Sequence, residues 1–253
     1  MVHHARAVAN EEGMKGWLRA KCFARVTHAA VSQAHELPCS ANLVLPNPYD
    51  DTLFGLDHQI ARTRDVVFVG RLIPEKGAHI LLEALAIFRR AGVPLAATVV
   101  GDGPEREHLV RLSTALELGP DVEFAGQVTG KSLAQLLQRH RLMVVPSLCD
   151  EAFGVAALEG IACGCAIIGS ETGGLPEAIG PCGTTFPSGD VQALAARIQS
   201  VLGSAAMLPK FLTGAKRHLA AHHPKAVAKQ YLDIIENLRR PDSVVRFGTC
   251  ASS

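Results

Sequence analysis

Two cationic side chains lie in the segment GRLIPEKG, residues 70–77, between an apolar run and a helical pattern. Arg71 offers a guanidinium and Lys76 an ammonium, close to the N-terminus of the following helix, where backbone N–H groups attract anions. These groups together suit a diphosphate. From spacing alone, the alternative is that both cations are solvated loop charges, or that Glu75 pairs with one of them.

Two glutamates occur in and after the segment PSLCDEAFG, residues 146–154. Glu151 precedes a predicted helix, and Glu159 lies about a turn and a half inside it. Backbone N–H groups around Phe153, Gly154 and Val155 would face an anion, while the carboxylates accept hydrogen bonds from hydroxyl groups. A ligand with a phosphate centre and hydroxylated ends would satisfy both. Alternatively, Glu151 only complements the helix dipole and Glu159 is an exposed charge.

A third segment, ETGGLPE at residues 171–177, carries a Gly-Gly turn after a predicted strand. Such a turn either lets the backbone approach a ligand closely or is a plain turn. Several other site motifs are not matched. Gly101-Asp102-Gly103 has Arg106 where a dinucleotide fingerprint needs its third glycine, and the chain contains neither GxxxxGK[ST] nor HExxH.

The elements that would hold these loops alternate between short β-rich runs and longer helical patterns from residue 65 onward. Strands are predicted at 65–70, 95–101, 122–125, 142–145 and 165–169. Helices are predicted after Gly77, from Pro104, from a Ser132 cap, over 156–162, and along Val191 to Val201. This alternation predicts an α/β fold, an open doubly wound parallel sheet that binds ligands beyond the carboxyl ends of its strands.

The flanks of this unit differ from it. Residues 13–45 predict a basic helix with Trp17, Leu18 and Phe23, then a strand near 28–32 and an irregular stretch. Pro46 and Pro48 indicate a linker. Residues 205–240 predict two helices divided at His223-Pro224, and the polar end from Pro241 is expected to fray.

Composition excludes several classes of protein. Apolar residues make up 48% and charged residues 19% of 253, with a net charge of +1, which predicts a soluble globular protein that does not bind nucleic acid. Seven cysteines without CxxC pairs indicate reduced thiols in the cytoplasm, and no metal site is expected. No apolar run reaches a membrane span. Membrane contact is expected to be at most peripheral, through the basic helix with Lys15 and Arg19, which is otherwise an ordinary surface helix.

Taken in order, several motifs resemble the donor-binding half of the family 4 (group 1) retaining glycosyltransferases. They are GRLIPEKG, VVGDGP, EFAGQV, PSLCDEAFGVAALEGIACG, ETGGLPE and FPSGD. The resemblance covers residues 24–239, including Val31-Ser32 and the Asn47-Pro48-Tyr49-Asp50 linker. It implies a GT-B fold, with one complete Rossmann-like domain and a remnant of a second. The domains expected are the end of an acceptor-binding domain (1–45), a donor-binding domain (46–222), and a crossover helix with a tail (223–253).

The resemblance also implies roles for individual residues. Arg71 and Lys76 match the residues that hold the nucleotide diphosphate, Glu151 a contact to hydroxyls of the transferred sugar, and Glu159 a contact to the ribose diol. The remaining matches are backbone groups: Phe153, Gly154 and Val155 hold the distal phosphate, and Gln127 and Val128 meet the nucleobase. No catalytic acid or base is assigned, and no metal cofactor is expected.

The resulting hypothesis is a retaining glycosyltransferase that transfers a sugar from a UDP-, GDP- or ADP-linked donor to a saccharide, lipid-linked or small-molecule acceptor. The family's acceptor domain should precede residue 1, so the chain is expected to be truncated or split, with a separate acceptor-domain chain as one option. Two rivals stay open. One is a GT-B sugar-nucleotide epimerase, and the other is a non-catalytic remnant that binds a sugar nucleotide.

Overall fold

The computed structural model describes the backbone of residues 28–30 and 42–239, and side chains from 45 to 236. The predicted basic helix with Trp17 and Phe23 lies outside the described residues, as do Val31-Ser32 and the end of the chain. Two short parallel strands, β1 (His28–Ala30) and β2 (Asn42–Val44), pair with each other. The predicted domain boundaries stay predictions.

A six-stranded parallel sheet forms the centre of the molecule. Its strands are β3 (Arg64–Val69), β4 (Ala97–Val100), β5 (Val122–Gly126), β6 (His140–Val145), β7 (Ala166–Ser170) and β8 (Gly183–Phe186). They are arranged in the order β5-β4-β3-β6-β7-β8, and every neighbouring pair is parallel. The predicted doubly wound α/β fold is confirmed.

Eight helices connect and follow these strands in the described chain. They are α1 (Ala78–Arg90), α2 (Arg106–Ala115), α3 (Gly130–Gln138), α4 (Val155–Ala162), α5 (Leu175–Ile179), α6 (Val191–Leu202), α7 (Met207–Ala221) and α8 (Pro224–Arg239). The last two confirm the predicted division before Pro224. Among the described residues, no single helix is long and apolar enough to cross a membrane, and only α6 and α7 taken together, bent by 90°, meet that test.

Apolar side chains cover both faces of the sheet because successive residues of a strand point to opposite sides. In β3, Val66 and Phe68 join a core with α1, α2 and α6, whereas Val67 joins a second core with α3, α4 and α5. Strands buried on both faces need continuous apolar runs, which is why these segments could be found in the sequence.

Several predicted boundaries were wrong or missed. Ser132 lies inside α3 rather than capping it, because the helix begins at Gly130 after Thr129. The helix predicted from Pro104 begins at Arg106, since the preceding loop hydrogen-bonds to the loop after β3 through Glu105 N–H and the Leu72 carbonyl, 3.0 Å apart. Strands β2 and β8 were not predicted.

The order in which successive strands are added to the sheet reverses beside β3, although all the strands are parallel. Strand β3 pairs with β4 on one side and with β6 on the other, and the chain continues outward from each. The connections after β3 and β6 leave the sheet on opposite faces, and in sheets of this kind a ligand crevice is expected between them at the carboxyl edge. The segments 70–77 and 146–154 both lie at this edge.

Candidate active site

Backbone hydrogen bonds join the loops that follow β3, β4 and β5. Gly70 N–H donates to the Val100 carbonyl at 3.0 Å, Leu72 N–H to the Asp102 carbonyl at 2.9 Å, and Gly101 N–H to a carbonyl at the end of β5 at 2.8 Å. Because each loop is held by its neighbour, the carboxyl edge of the sheet is a fixed backbone platform.

The loops after β3 and β6 also touch each other across the crevice. Leu148 N–H donates to the Glu75 carbonyl at 2.8 Å. Gly77 adopts a φ of +67°, and a Cβ atom built on it would lie 1.9 Å from the Pro146 carbonyl oxygen. Only glycine fits this position, since a side chain would meet both the clash and the strain of positive φ. This contact places Lys76 beside the loop after β6.

Lys76 and Glu151 form an ion pair between the loops after β3 and β6. Lys76 Nζ lies 2.5 Å from Glu151 Oε1, and both side chains are largely buried. The Ser147 hydroxyl donates to the same carboxylate oxygen at 2.5 Å. The carboxylate that pairs with the loop cation is therefore Glu151 rather than Glu75.

Arg71 lies at the same edge with an exposed side chain. Within the described part of the chain, its guanidinium makes no hydrogen bond or ion pair. It is thus available to an anionic ligand, although the same observation fits a solvated loop charge. Among residues 45–236, Arg71 is therefore a loop cation without a protein partner, whereas Lys76 is paired with Glu151.

Helix α4 begins at the end of the loop after β6. Phe153 is buried, with 3% of its surface exposed, and Gly154 occupies the N-cap position before Val155. The first N–H groups of an α-helix have no partner inside the helix and attract anions. The structure thus places the backbone of Phe153, Gly154 and Val155 at the N-terminus of α4, and their contact with a phosphate stays a prediction.

The Gly-Gly turn supports this loop. Gly174 N–H donates to the Glu151 carbonyl at 2.8 Å, and a Cβ on Gly173, whose φ is +51°, would lie 2.2 Å from the same oxygen. The close backbone approach expected for this segment is therefore made to the protein's own Glu151. The turn fixes the backbone from which the Glu151 side chain extends.

Glu159 is a half-buried carboxylate one turn inside α4. It makes no hydrogen bond or ion pair with any residue between 45 and 236. Burial, and secondly the charge of Asp50 in the linker, raises the pKa of Glu159 to about 7. A carboxylate that has lost water without gaining donors is suited to accept hydrogen bonds from a ligand.

Gln127 and Val128 follow β5, the edge strand of the sheet. Gln127 is exposed, and Val128 packs partly against the core beneath α3 and α4. They lie on the same carboxyl edge as the other candidate residues, but two strands away from β3. The structure thus gathers all the predicted positions at one edge, while their roles stay predictions.

The sequence patterns did not identify Ser147 and Ser170 as site residues. Besides holding Glu151, Ser147 accepts hydrogen bonds at its carbonyl from the Ser170 hydroxyl at 2.6 Å and the Ser188 hydroxyl at 3.1 Å. Both Ser147 and Ser170 are fully buried. The sequence signal that could have identified them is a small hydroxyl residue at the end of an apolar strand or just beyond it. In residues 28–30 and 42–239, no three His, Cys, Asp or Glu side chains are grouped to hold a metal ion.

Comparison with known proteins identifies the family. The model of the glycosyl transferases group 1 matches residues 58–218. Glycogen synthase of Mycobacterium tuberculosis is 32% identical over 184 residues, which is 70% of this chain and 44% of that protein. D-inositol 3-phosphate glycosyltransferase of Salinispora tropica is 34% identical over 180 residues, 67% of this chain and 37% of that protein.

A solved structure agrees at the level of the fold. Anabaena HepE in complex with UDP aligns with a TM-score of 0.72 at 23% identity, over 83% of this chain and 63% of that one. The chain spans less than half the length of the two curated relatives above. The family model covers all the motifs from GRLIPEKG to FPSGD, and its match extends over more than half of the chain. The chain belongs to the glycosyl transferases of group 1.

Proposed function

We propose that this chain binds the nucleotide-sugar donor of a retaining glycosyltransferase in the crevice between the loops after β3 and β6. The observation that carries the proposal is the cluster of Lys76, Glu151 and Ser147 between these loops, flanked by Arg71, whose guanidinium makes no hydrogen bond or ion pair with residues 45–236. The names of the sequence relatives and the UDP complex of the structural neighbour support a nucleotide-sugar substrate.

In this proposal the cationic residues contact the phosphates of the donor, and the carboxylates contact its hydroxyl groups. Arg71 and Lys76 would contact the diphosphate, with the N-terminal backbone of α4 at the distal phosphate. Glu151 would accept hydrogen bonds from hydroxyls of the sugar, and Glu159 from the ribose diol. Because Lys76 and Glu151 already lie together, a ligand whose phosphate is bonded to a sugar can contact both at once.

Transfer then breaks the bond between the anomeric carbon and the diphosphate oxygen and forms a bond to the acceptor oxygen on the same face of the sugar. The acceptor hydroxyl gives up its proton to the oxygen of the departing nucleoside diphosphate, on which negative charge develops as the bond to the anomeric carbon breaks. Arg71 and Lys76 stabilise that charge as it develops, which is the largest contribution fixed groups commonly make to a rate. These cations and the α4 N-terminus supply positive potential without a metal.

We propose further that acceptor contacts come from residues other than those of the six-stranded sheet, in a preceding domain or a separate chain. In this proposal the donor occupies the carboxyl edge of the sheet. Transfer also needs the acceptor to be held beside the donor in a water-poor cleft, which requires further residues. The described cysteines, Cys149, Cys163, Cys165 and Cys182, are free thiols, which supports a cytoplasmic location.

The experiment is a thermal-shift panel of UDP-, GDP-, ADP- and dTDP-sugars with the 253-residue protein. A ligand that binds only the folded state raises the apparent stability, so a donor should raise the melting temperature in a saturable way. Absence of a shift with every nucleotide sugar would overturn the proposal.

The bound donor is then assayed with and without an added acceptor domain. Negligible transfer by the chain alone and transfer with retained anomeric configuration after addition are expected. An epimerised sugar nucleotide would instead identify the reaction as epimerisation.

A further inference from the structure

His222 lies between α7 and α8 with 6% of its surface exposed. Its Nδ1 atom is 3.0 Å from the Asn47 carbonyl oxygen, and since a carbonyl only accepts, Nδ1 carries the proton and donates. The His222 carbonyl in turn accepts from Tyr49 N–H at 3.4 Å. Two hydrogen bonds therefore fasten the linker before the sheet to the junction before α8.

The opposite side of this junction touches the start of α4. The ring centroids of His222 and Phe153 are 5.3 Å apart with an angle of 46° between the rings, and the His218 ring lies 4.9 Å from that of His222. His218 Nε2 donates to the Ala178 carbonyl of α5 at 2.8 Å. The Phe153 ring thus packs against the His222 ring of the α7–α8 junction, and Gly154 follows Phe153 directly in sequence.

Burial, assisted by the neighbouring His218, lowers the pKa of His222, while the hydrogen bond to Asn47 opposes that effect. The imidazole is therefore neutral at pH 7 and packs on Phe153 as an uncharged ring. Its hydrogen bond to the linker is made by one fixed tautomer. His222 thus has two separable contacts, one polar to the linker and one aromatic to Phe153.

From these contacts we propose that His222 is a positioning residue for donor binding. It holds Phe153, and through it the backbone of Gly154 and Val155, in the position that receives the distal phosphate. The inference rests on the proposed function, because it assumes that a nucleoside diphosphate binds at the α4 N-terminus. It adds a residue about 70 positions away in sequence that never touches the ligand itself.

The test measures the contribution of the distal phosphate. Dissociation constants for UDP and UMP are compared by calorimetry, with GDP and GMP, and ADP and AMP, run in parallel because the base is not fixed. In the wild type, the ratio of the two constants reports the distal phosphate alone. A variant that only destabilises the fold leaves this ratio unchanged once the protein is folded at the assay temperature.

Two substitutions separate the contacts of His222. In His222→Asn, the side-chain amide can donate to the Asn47 carbonyl but the ring is lost, whereas His222→Phe keeps a ring against Phe153 without the donor. We expect His222→Asn to reduce the diphosphate-to-monophosphate preference by about tenfold and His222→Phe to retain most of it. The control is Val227→Ala, which creates a cavity at a buried position of α8 and should leave the preference unchanged.

The outcomes are distinct from those of the proposed function. If the wild type binds none of the nucleoside diphosphates, the proposed function and this inference are both wrong. If the wild type binds them but His222→Asn keeps the full preference for diphosphate over monophosphate, His222 has no positioning role, and the proposed function is unaffected. An equal loss of preference in His222→Asn and His222→Phe, or the same loss in Val227→Ala, also overturns the role assigned to the ring.

Discussion

Lys76 Nζ and Glu151 Oε1 lie 2.5 Å apart and join the loop after β3 to the loop after β6. The two residues are 75 positions apart in sequence, and they meet because β3 and β6 are neighbours in the sheet. The pair places a cation and an anion where a phosphate and a sugar ring would be joined. In the proposed function, each charge contacts a different part of one donor molecule.

Glu151→Ala is expected to weaken binding of the nucleotide sugar by about 1–3 kcal/mol, the cost of losing hydrogen bonds to a charged group. Binding of the bare nucleoside diphosphate should be kept or improved, because Lys76 loses its partner and is free for phosphate. Calorimetry with both ligands measures the difference.

The matched control is Glu75→Ala, which removes an exposed carboxylate of the adjoining loop. It should change neither affinity by more than a few tenths of a kcal/mol. Equal losses for nucleotide sugar and nucleoside diphosphate in Glu151→Ala would contradict the division of roles.

Glu159→Ala should weaken nucleotide sugar and nucleoside diphosphate alike, by about 1–3 kcal/mol, because the ribose is common to both. A 2′-deoxy nucleotide offers the decisive comparison, since it removes the hydroxyl from the ligand instead of the carboxylate from the protein. The wild type should lose affinity for the deoxy ligand, and the variant should lose little more. Fully additive losses would show that Glu159 and the ribose hydroxyl do not meet.

Donor binding is expected to survive removal of metal ions. Arg71, Lys76 and the N-terminus of α4 supply positive potential for the diphosphate, and a divalent ion would need oxygen ligands of its own. The measurement is the dissociation constant of the donor in EDTA and in Mg²⁺. A strict requirement for Mg²⁺ or Mn²⁺ would contradict the proposed way of holding the diphosphate.

The strands that line the site could be predicted because they are buried on both faces. Val66, Val67 and Phe68 form one continuous apolar run, and such runs followed by Gly, Pro and charged residues mark the carboxyl edge. The candidate loops could therefore be placed on the same edge before their distances were known. The short strand β8 reads Gly-Thr-Thr-Phe and offers no such signal.

Side-chain partners could not be predicted in the same way. The choice of Glu151 over Glu75 as the partner of Lys76 depends on the direction in which each loop leaves the sheet, and sequence spacing does not encode that direction. Glu159 lies between apolar residues of α4, which favours burial, but its proximity to Asp50 depends on how the linker packs. The contact of His222 with Phe153 likewise requires the fold.

Gly77→Ala tests whether the contact between the two loops is needed. The added Cβ would lie 1.9 Å from the Pro146 carbonyl oxygen at a φ of +67°, so backbone must move. We expect a loss of more than about 2 kcal/mol in the free energy of unfolding, measured by urea denaturation. Gly92→Ala is the control, with a φ of +77° and no atom within 4 Å of the Cβ, and should cost only about 1 kcal/mol of backbone strain.

The pH dependence of donor affinity tests the environment of Glu159. Its pKa is raised to about 7 by burial, so the side chain is largely protonated at pH 6 and ionised at pH 8. Hydroxyl donors of a ligand favour the ionised form, which lowers the pKa in the complex, and binding therefore releases a proton below about pH 7. Affinity should rise with pH between 6 and 7 and level off above that range.

An intact nucleotide sugar is the suitable ligand for this measurement, because its diphosphate is esterified at both ends and does not titrate in this interval. Glu159→Gln keeps the size and polarity of the side chain but cannot ionise, so its affinity should be independent of pH there. A pH profile in Glu159→Gln that matches the wild type would show that another group is responsible.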